Sequence, residues 1–141
     1  MKARSIMNLE AYLFFPDNTE EAMLFYQGVL GGELSITRRG DVDPSVSESE
    51  KDRVINATLD TGAFTIRASD RSDATNEVQT RIELSIVGTE ERELRRIFET
   101  LSSGGTVKAP LGKMFWGDVF GAFVDRFGIG WQVNISPELH E

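Results

Sequence analysis

Two glutamates in predicted β-strands are the candidate catalytic residues of this sequence. Glu10 opens the alternating segment EAYLFF, and Glu83 lies within TRIELSIV. A carboxylate buried in a sheet can be tuned toward neutral pH and can then act as a general base. Tyr12 or Arg81 would stabilise the charge that develops in such a reaction. The stronger interpretation is structural, with Glu83 forming an ion pair with Arg81 or Arg67 along the sheet.

The arginines have a second possible role, which is to bind an anionic ligand. A guanidinium group recognises a carboxylate through two parallel hydrogen bonds, and Arg67 and Arg81 both lie in predicted strands. Other catalytic groups are scarce. The chain has no cysteine, which excludes a thiol nucleophile, a disulfide and a zinc-thiolate site. Its only histidine, His140, is predicted to lie in a frayed surface tail.

The composition is typical of one globular domain that spans residues 1–141. A chain of 141 residues can bury a core without metal or disulfide cross-links. The formal charge of −8 argues against binding to a nucleic acid, which depends on clustered Lys and Arg. No stretch approaches the roughly 20 apolar residues of a membrane helix. We therefore expect a cytoplasmic protein with neither nucleic-acid nor membrane partners.

The two halves of the sequence repeat one order of elements. Each half begins with an alternating strand, continues with an amphipathic helix, and ends with further strands and a hairpin. The Thr-Glu-Glu triplets that open the helices start at positions 19 and 89, about half the chain apart. This spacing predicts an internal duplication of β-α-β-β-β modules at about residues 8–70 and 79–135. The acidic, serine-rich stretch 40–53 is predicted to be an excursion within the first module.

The helix boundaries follow from capping residues and double glycines. Asn18 is the predicted cap of the first helix, with Glu21 completing a capping box, and Thr89 is the predicted cap of the second. Gly31 and Gly104 begin the double glycines that end them. The apolar stripes that should pack on the sheets are Ala22, Phe25, Tyr26 and Val29 in the first helix, and Leu94, Ile97, Phe98 and Leu101 in the second.

Strand alternation sorts the strand residues into two faces. One face is mixed and contains aromatic, charged and amide side chains, so it suits a pocket with apolar walls and a few placed polar groups. The alternative is an open face in contact with solvent. The other face is apolar and should be covered by the helices; it comprises Ala11, Leu13, Phe15, Ile55, Ala57, Leu59, Phe64, Ile66, Ala68, Ile82, Leu84, Ile86, Trp131, Val133 and Ile135.

The segment from Lys113 to Asn134 holds six aromatic residues and four glycines. Three of the aromatics should edge a cavity, while Gly117 and Gly121 allow the strand to bend and Gly128 occupies a hairpin turn. For each aromatic the alternative is ordinary core packing, and Trp131 is assigned to the core. The candidate ligand-binding residues are Tyr12, Phe14, Asn56, Arg67, Arg81, Phe115, Trp116, Phe120 and Gln132.

Three segments of the chain resemble the PhnB-like branch of the glyoxalase/bleomycin-resistance/dioxygenase (vicinal oxygen chelate) superfamily. They are YLFFPDNTEEAMLFYQGVLGGEL, INATLDTGAFTIRASD and PLGKMFWGDVFGAFVDRFGIGWQVN, and the similarity runs from about Glu10 to Asn134. The resemblance implies an α+β fold in which two βαβββ modules with curved mixed sheets enclose a cavity, with the helices on the outer face. It also implies a homodimer.

The resemblance does not extend to a metal site. Many members of the superfamily hold a divalent ion with His, Glu or Gln side chains from the first, middle and last strands of the modules. Where relatives carry a ligand histidine this sequence has Asn56 and Arg81, and an arginine cannot ligate a cation. Glu10, Glu83 and Gln132 could form only a weak oxygen site for a hard cation. We expect neither a metal ion nor another cofactor.

The function predicted from these observations is metal-independent binding of a small organic molecule. The alternative is an enzyme of the same superfamily, a lyase, isomerase or dioxygenase, with an atypical divalent-metal site. A third reading is a structural dimer without a ligand. Whether the protein catalyses a reaction stays open at this stage.

Overall fold

The computed structural model describes residues 8–75, 77 and 82–137, so Arg81 and His140 lie outside the described residues. The predicted α+β fold class is confirmed: the chain forms two four-stranded mixed sheets and three helices. These elements belong to two compact units, residues 1–74 and 75–141. Within the described ranges, no helix has the length and apolar character needed to cross a bilayer.

The first unit contains four strands and two helices. In chain order they are β1 (Ala11–Phe15), α1 (Thr19–Leu30), β2 (Glu33–Arg38), α2 (Arg39–Val42), β3 (Val54–Asp60) and β4 (Thr65–Asp70). The sheet order is β1-β4-β3-β2, in which β1 runs parallel to β4 and the other neighbours are antiparallel. The first strand therefore lies next to the last strand of its unit.

The second unit repeats this topology. Its elements are β5 (Leu84–Gly88), α3 (Glu91–Ser102), β6 (Thr106–Lys113), β7 (Val119–Val124) and β8 (Gly130–Ile135). The sheet order is β5-β8-β7-β6, again with the first and last strands parallel. The same β-α-β-β-β order twice in one chain is the arrangement that the repeated sequence pattern predicts.

Each core lies between a helix and one face of its sheet. In α3 the whole predicted stripe is buried, and the Phe98 ring packs edge-on against Phe123 with 4.9 Å between centroids. In α1 Ala22, Tyr26 and Val29 are buried, as predicted. The apolar face of β8, which includes Trp131, is also buried, so the assignment of Trp131 to the core is confirmed.

Two residues assigned to the apolar face are exposed, because they lie outside the strands. Phe64 is 43% exposed in the hairpin turn before β4, and Ile82 is 74% exposed ahead of β5. Thr80 and Arg81 of the predicted strand TRIELSIV lie outside the described residues, and among the described ones the strand begins at Leu84. Side chains alternate between the two faces only while the backbone is paired in the sheet. Extending this alternation past the end of a strand therefore assigned Phe64 and Ile82 to the wrong face.

Of the two predicted helix caps, Asn18 occupies the N-cap position of α1 as predicted, whereas Thr89 does not cap the second helix. The Asn18 side chain makes no capping hydrogen bond, so the capping box with Glu21 does not form. The amide of Thr19 donates instead to Asp70 Oδ1 at the end of β4, at 3.1 Å, and a carboxylate is the stronger acceptor. The second helix begins at Glu91, after Glu90 rather than Thr89.

The same Asp70 carboxylate also fixes the start of β3. Its Oδ2 accepts a hydrogen bond from the amide of Val54 at 3.0 Å. The excursion between β2 and β3 begins with the short helix α2 and is closed by two backbone bonds, Arg39 N to Arg53 O and Gly40 N to Lys51 O. One side chain therefore joins the entry of α1 to the entry of β3.

In the second unit a buried aspartate organises the β7–β8 hairpin. Asp125 is 3% exposed and accepts hydrogen bonds from the amides of Phe127 at 2.8 Å and Ile129 at 3.0 Å. Its other oxygen accepts the indole N–H of Trp131 at 2.9 Å. Gly128, with φ of 87°, completes this turn as predicted. The carboxylate thus holds both the turn and the largest core side chain.

We expect Asp125→Ala to lower the free energy of unfolding by about 3 kcal/mol or more, because it removes the acceptor of three hydrogen bonds, two of them buried. The measurement is urea unfolding followed by circular dichroism. Asp73→Ala removes an exposed carboxylate that pairs with Arg71 and should cost less than about 1 kcal/mol. Equal losses for the two variants would contradict the role of Asp125.

Gly121 marks a close approach of α3 to the sheet. A Cβ atom at this position would lie 2.7 Å from Cε2 of Phe98 and 3.0 Å from the carbonyl oxygen of Ala109. The bend predicted for this glycine is therefore accompanied by a packing requirement. Gly28, on an exposed part of α1, has no such neighbour within 4 Å.

The two glycines should respond to alanine with opposite signs. Gly121→Ala is expected to destabilise the protein by about 1–3 kcal/mol through overpacking. Gly28→Ala should stabilise it by up to about 1 kcal/mol, because alanine is the better helix former. Thermal unfolding of both variants tests this. A stabilising Gly121→Ala would show that a methyl group fits between α3 and the sheet.

Candidate functional site

Arg67 on β4 is the centre of the polar cluster in the first unit. Its Nε donates to Glu10 Oε1 at 2.6 Å, and its Nη1 donates to Thr58 Oγ1 at 3.0 Å. The strand register produces these contacts, since Arg67 lies opposite Tyr12 on β1 and opposite Thr58 on β3. The hydrogen bond that Arg67 donates to Glu10 raises the pKa of Arg67 above its ordinary value, so the guanidinium stays charged.

Two aromatic rings lie beside this cluster on β1. Tyr12 and Phe14 share one face of the strand, their centroids are 5.0 Å apart, and they are 42% and 38% exposed. The guanidinium carbon of Arg71, just beyond β4, lies 4.1 Å from the centroid of Phe14. Arg71 in turn pairs with Asp73 at 2.5 Å. The rings are therefore accessible on a face that also presents fixed positive charge.

Asn56 is the remaining candidate of the first unit. It lies on β3 opposite Thr37 of β2 and is half-buried. Asn56 and Thr58 are two residues apart on β3, so Asn56 lies on the same face of the sheet as the Arg67 cluster. The structure therefore assembles five candidates on this face: Glu10, Tyr12, Phe14, Asn56 and Arg67.

Glu83 is the centre of the corresponding cluster in the second unit. It accepts hydrogen bonds from Lys108 Nζ at 2.7 Å and from Gln132 Nε2 at 3.1 Å. The Lys108 bond, followed by the Gln132 bond, holds the pKa of Glu83 below its ordinary value. Lys108 of β6 neutralises Glu83, while Arg67 in the first unit pairs with Glu10.

The two clusters occupy equivalent positions of the duplicated units. Glu10 and Glu83 each precede the first strand of their unit directly. The residue two positions later, Tyr12 or Ser85, pairs with Arg67 or Gln132 on the last strand. Each glutamate thus accepts a hydrogen bond from the equivalent side chain of a parallel neighbour, a guanidinium in one unit and an amide in the other.

The aromatic candidates of the second unit lie around the β6–β7 hairpin. Phe115 is 97% exposed and Trp116 is 53% exposed, and the two rings meet edge-on with centroids 4.8 Å apart. Gly117, with φ of 102°, allows the tight turn that carries them. Phe120 is half-buried on β7, opposite Asn134. Because Asn134 is two residues from Gln132 on β8, Phe120 lies on the same face of the sheet as Gln132.

Three polar contacts in these clusters were not anticipated from the sequence. Strand alternation puts Thr58 on the mixed face, so the sequence contained the signal that could have identified it as a neighbour of Arg67. Lys108 lies on β6, where two register shifts break the alternation that would have placed it. Arg71 lies beyond the end of β4, where strand periodicity gives no information.

The donor set of these faces does not fit a divalent metal ion. In the described part of the chain, no three His, Cys, Asp or Glu side chains are grouped so that they could share an ion. Glu10 and Glu83 already bind Arg67 and Lys108, whose positive charges oppose a cation at the same oxygens.

Comparisons with known proteins agree with this architecture. Residues 8–133 match the model of the Glyoxalase/Bleomycin resistance protein/Dioxygenase superfamily. Protein YjdN of Escherichia coli is 25% identical over 94% of this chain and 97% of its own length. The crystal structure of PA1353 from Pseudomonas aeruginosa is 34% identical, with a TM-score of 0.80 over 93% of this chain and 98% of that one. The PhnB protein from Bacillus cereus is 25% identical, with a TM-score of 0.74 over 92% and 100%.

The lowered pKa of Glu83 makes part of the stability pH-dependent. A carboxyl whose folded pKa lies below its unfolded value of about 4.3 stabilises the protein above that value and stops doing so as pH falls through the folded pKa. We expect Lys108→Met to raise the pKa of Glu83 toward its ordinary value, as measured by carboxyl carbon NMR during an acid titration. Lys113→Met, at the other end of β6, should leave it unchanged; an unchanged pKa in Lys108→Met would contradict the assignment.

Proposed function

Since the chain belongs to the Glyoxalase/Bleomycin resistance protein/Dioxygenase superfamily, we propose that it binds a small organic molecule on the mixed faces of its sheets. The observation that carries the proposal is the face of the first unit, where two accessible aromatic rings lie beside a fixed guanidinium. Apolar area next to a few oriented polar groups is what small-molecule sites provide. The hairpin rings of Phe115 and Trp116 supply a second accessible aromatic surface.

Binding in this proposal does not depend on a metal ion. Each glutamate on the mixed faces already accepts a hydrogen bond from a cationic side chain, Glu10 from Arg67 and Glu83 from Lys108. The hydrogen bonds from Lys108 and Gln132 hold the pKa of Glu83 below its ordinary value, which makes this carboxylate a weaker base. The arrangement therefore favours recognition of a ligand over general-base catalysis by Glu83.

The quaternary structure and location complete the proposal. The superfamily is commonly dimeric and binds small molecules. We assign this chain to a cytoplasmic homodimer in which residues 1–141 act as one domain, with a mixed sheet face lining the ligand cavity. Sedimentation at several protein concentrations tests the dimer, and a monomer throughout would contradict it.

Metal independence is tested by a thermal-shift screen with aromatic, anionic and neutral organic compounds. The screen is run on chelator-treated protein and repeated with added divalent ions. We expect stabilising compounds to act equally in both conditions. Compounds that act only with the ion present would favour the alternative, a superfamily enzyme with an atypical metal site. No stabilising compound in either condition would favour a structural dimer.

Substitution of Trp116 tests the proposed ligand site, and the same substitution of Trp131 in the core is its control. Trp116→Ala should weaken ligand binding about tenfold while changing the free energy of unfolding by less than about 0.5 kcal/mol, because the ring is half-exposed. Trp131→Ala should cost about 3–5 kcal/mol, because the ring is buried. Calorimetric titration of Trp116→Ala with a compound from the screen gives the affinity. Unchanged affinity would remove Trp116 from the site.

A further inference from the structure

Four side chains of the first unit form a continuous row, which we call the arginine–aromatic ladder: Arg71, Phe14, Tyr12 and Arg67. Arg71 lies over the Phe14 ring at 4.1 Å, and the Phe14 and Tyr12 centroids are 5.0 Å apart. Tyr12 is the register partner of Arg67 on the neighbouring strand. Two aromatic rings inclined by 31° to each other thus lie between Arg67 and Arg71, and Arg71 lies over one face of Phe14.

The fold does not require this row. The equivalent positions of the second unit are Ser85 for Tyr12, Val87 for Phe14 and Gln132 for Arg67, as the parallel register shows. That unit builds the same four-stranded sheet with neither an aromatic ring nor a positive charge at these positions. The ladder is therefore a property of one unit, and its rings are 42% and 38% exposed.

The hydrogen bonds of Arg67 fix its guanidinium and leave donors available. Glu10 accepts from Nε and Thr58 accepts from Nη1, while the described residues supply no hydrogen-bond acceptor to Nη2. An arginine has five N–H donors in a rigid plane, so the remaining ones can meet an oxygen without further ordering of the side chain. Such preorganisation reduces the entropic cost of binding.

From these contacts we infer that the ladder binds a planar aromatic acid, with its ring against Tyr12 and Phe14 and its carboxylate on Arg67. This inference rests on the proposed function and names its ligand class. Aromatic stacking supplies the contact area, and a charge-assisted hydrogen bond supplies the preference for an anion. A cationic aromatic ligand would be opposed by arginines at both ends of the row.

The test is calorimetric titration of the full chain with three probes. Naphthoate carries both the ring and the carboxylate, naphthylmethanol lacks the charge, and cyclohexanecarboxylate lacks the aromatic ring. We expect naphthoate to bind about tenfold more tightly than either of the others, about the difference that one charge-assisted hydrogen bond or one stacked ring makes. Equal affinities for naphthoate and naphthylmethanol in the wild-type protein would overturn the inference.

The variants copy the second unit, where the replacement side chains already occupy a folded sheet. Arg67→Gln should lower naphthoate affinity about tenfold and leave naphthylmethanol affinity unchanged, whereas Tyr12→Ser should weaken both. Arg95→Gln removes the same charge from an exposed position of α3 and should alter neither. If Arg67→Gln behaves like Arg95→Gln, the carboxylate is not on Arg67 and the inference fails.

The inference and the proposed function fail in different ways. If none of the three probes binds but other compounds in the thermal-shift screen stabilise the protein, the ligand class is wrong and the binding function stands. If neither the probes nor the screen gives any binding, both are overturned. Should Arg67→Gln fail to fold, the comparison of naphthoate with naphthylmethanol on the wild-type protein still decides.

Discussion

The candidate sites depend on the parallel pairing of the first and last strands in each unit. This pairing brings Glu10 next to Arg67, which is 57 residues away, and Glu83 next to Gln132, which is 49 residues away. No local element could make either contact. The intervening helix and hairpin exist in part to return the chain to the same edge of the sheet, since parallel strands need a long crossover.

Duplication allowed one of the two units to change without loss of the fold. The glutamate and its hydrogen-bond donor occupy equivalent places in both units, but the donor is a guanidinium in one and an amide in the other. The neighbouring positions differ more, because the second unit has Ser85 and Val87 at the positions equivalent to Tyr12 and Phe14. The shared pair serves the sheet, and the differing residues are where a ligand preference can reside.

Strand alternation predicted the fold and most of the polar face, because both depend on the regular period of paired backbone. The core position of Trp131 follows from strand alternation, and the buried stripe of α3 follows from the helical period. Prediction failed where periodicity ends. Phe64 and Ile82 lie outside strands, and Lys108 lies at a register shift. The amide of Thr19 is satisfied by Asp70, which is 51 residues away. Such contacts arise from tertiary packing that a local pattern does not contain.

The two hydrogen bonds accepted by Asp70 separate the sheet from the excursion that precedes β3. The start of β3 is held by Asp70 of β4 and by the backbone bonds that close the excursion at Arg39 and Gly40, so the residues between these anchors have no part in setting the strand register. We therefore expect residues gained or lost between Val42 and Glu50 to leave the alignment of the strands unchanged. The surface of that stretch can then vary while the sheet stays constant.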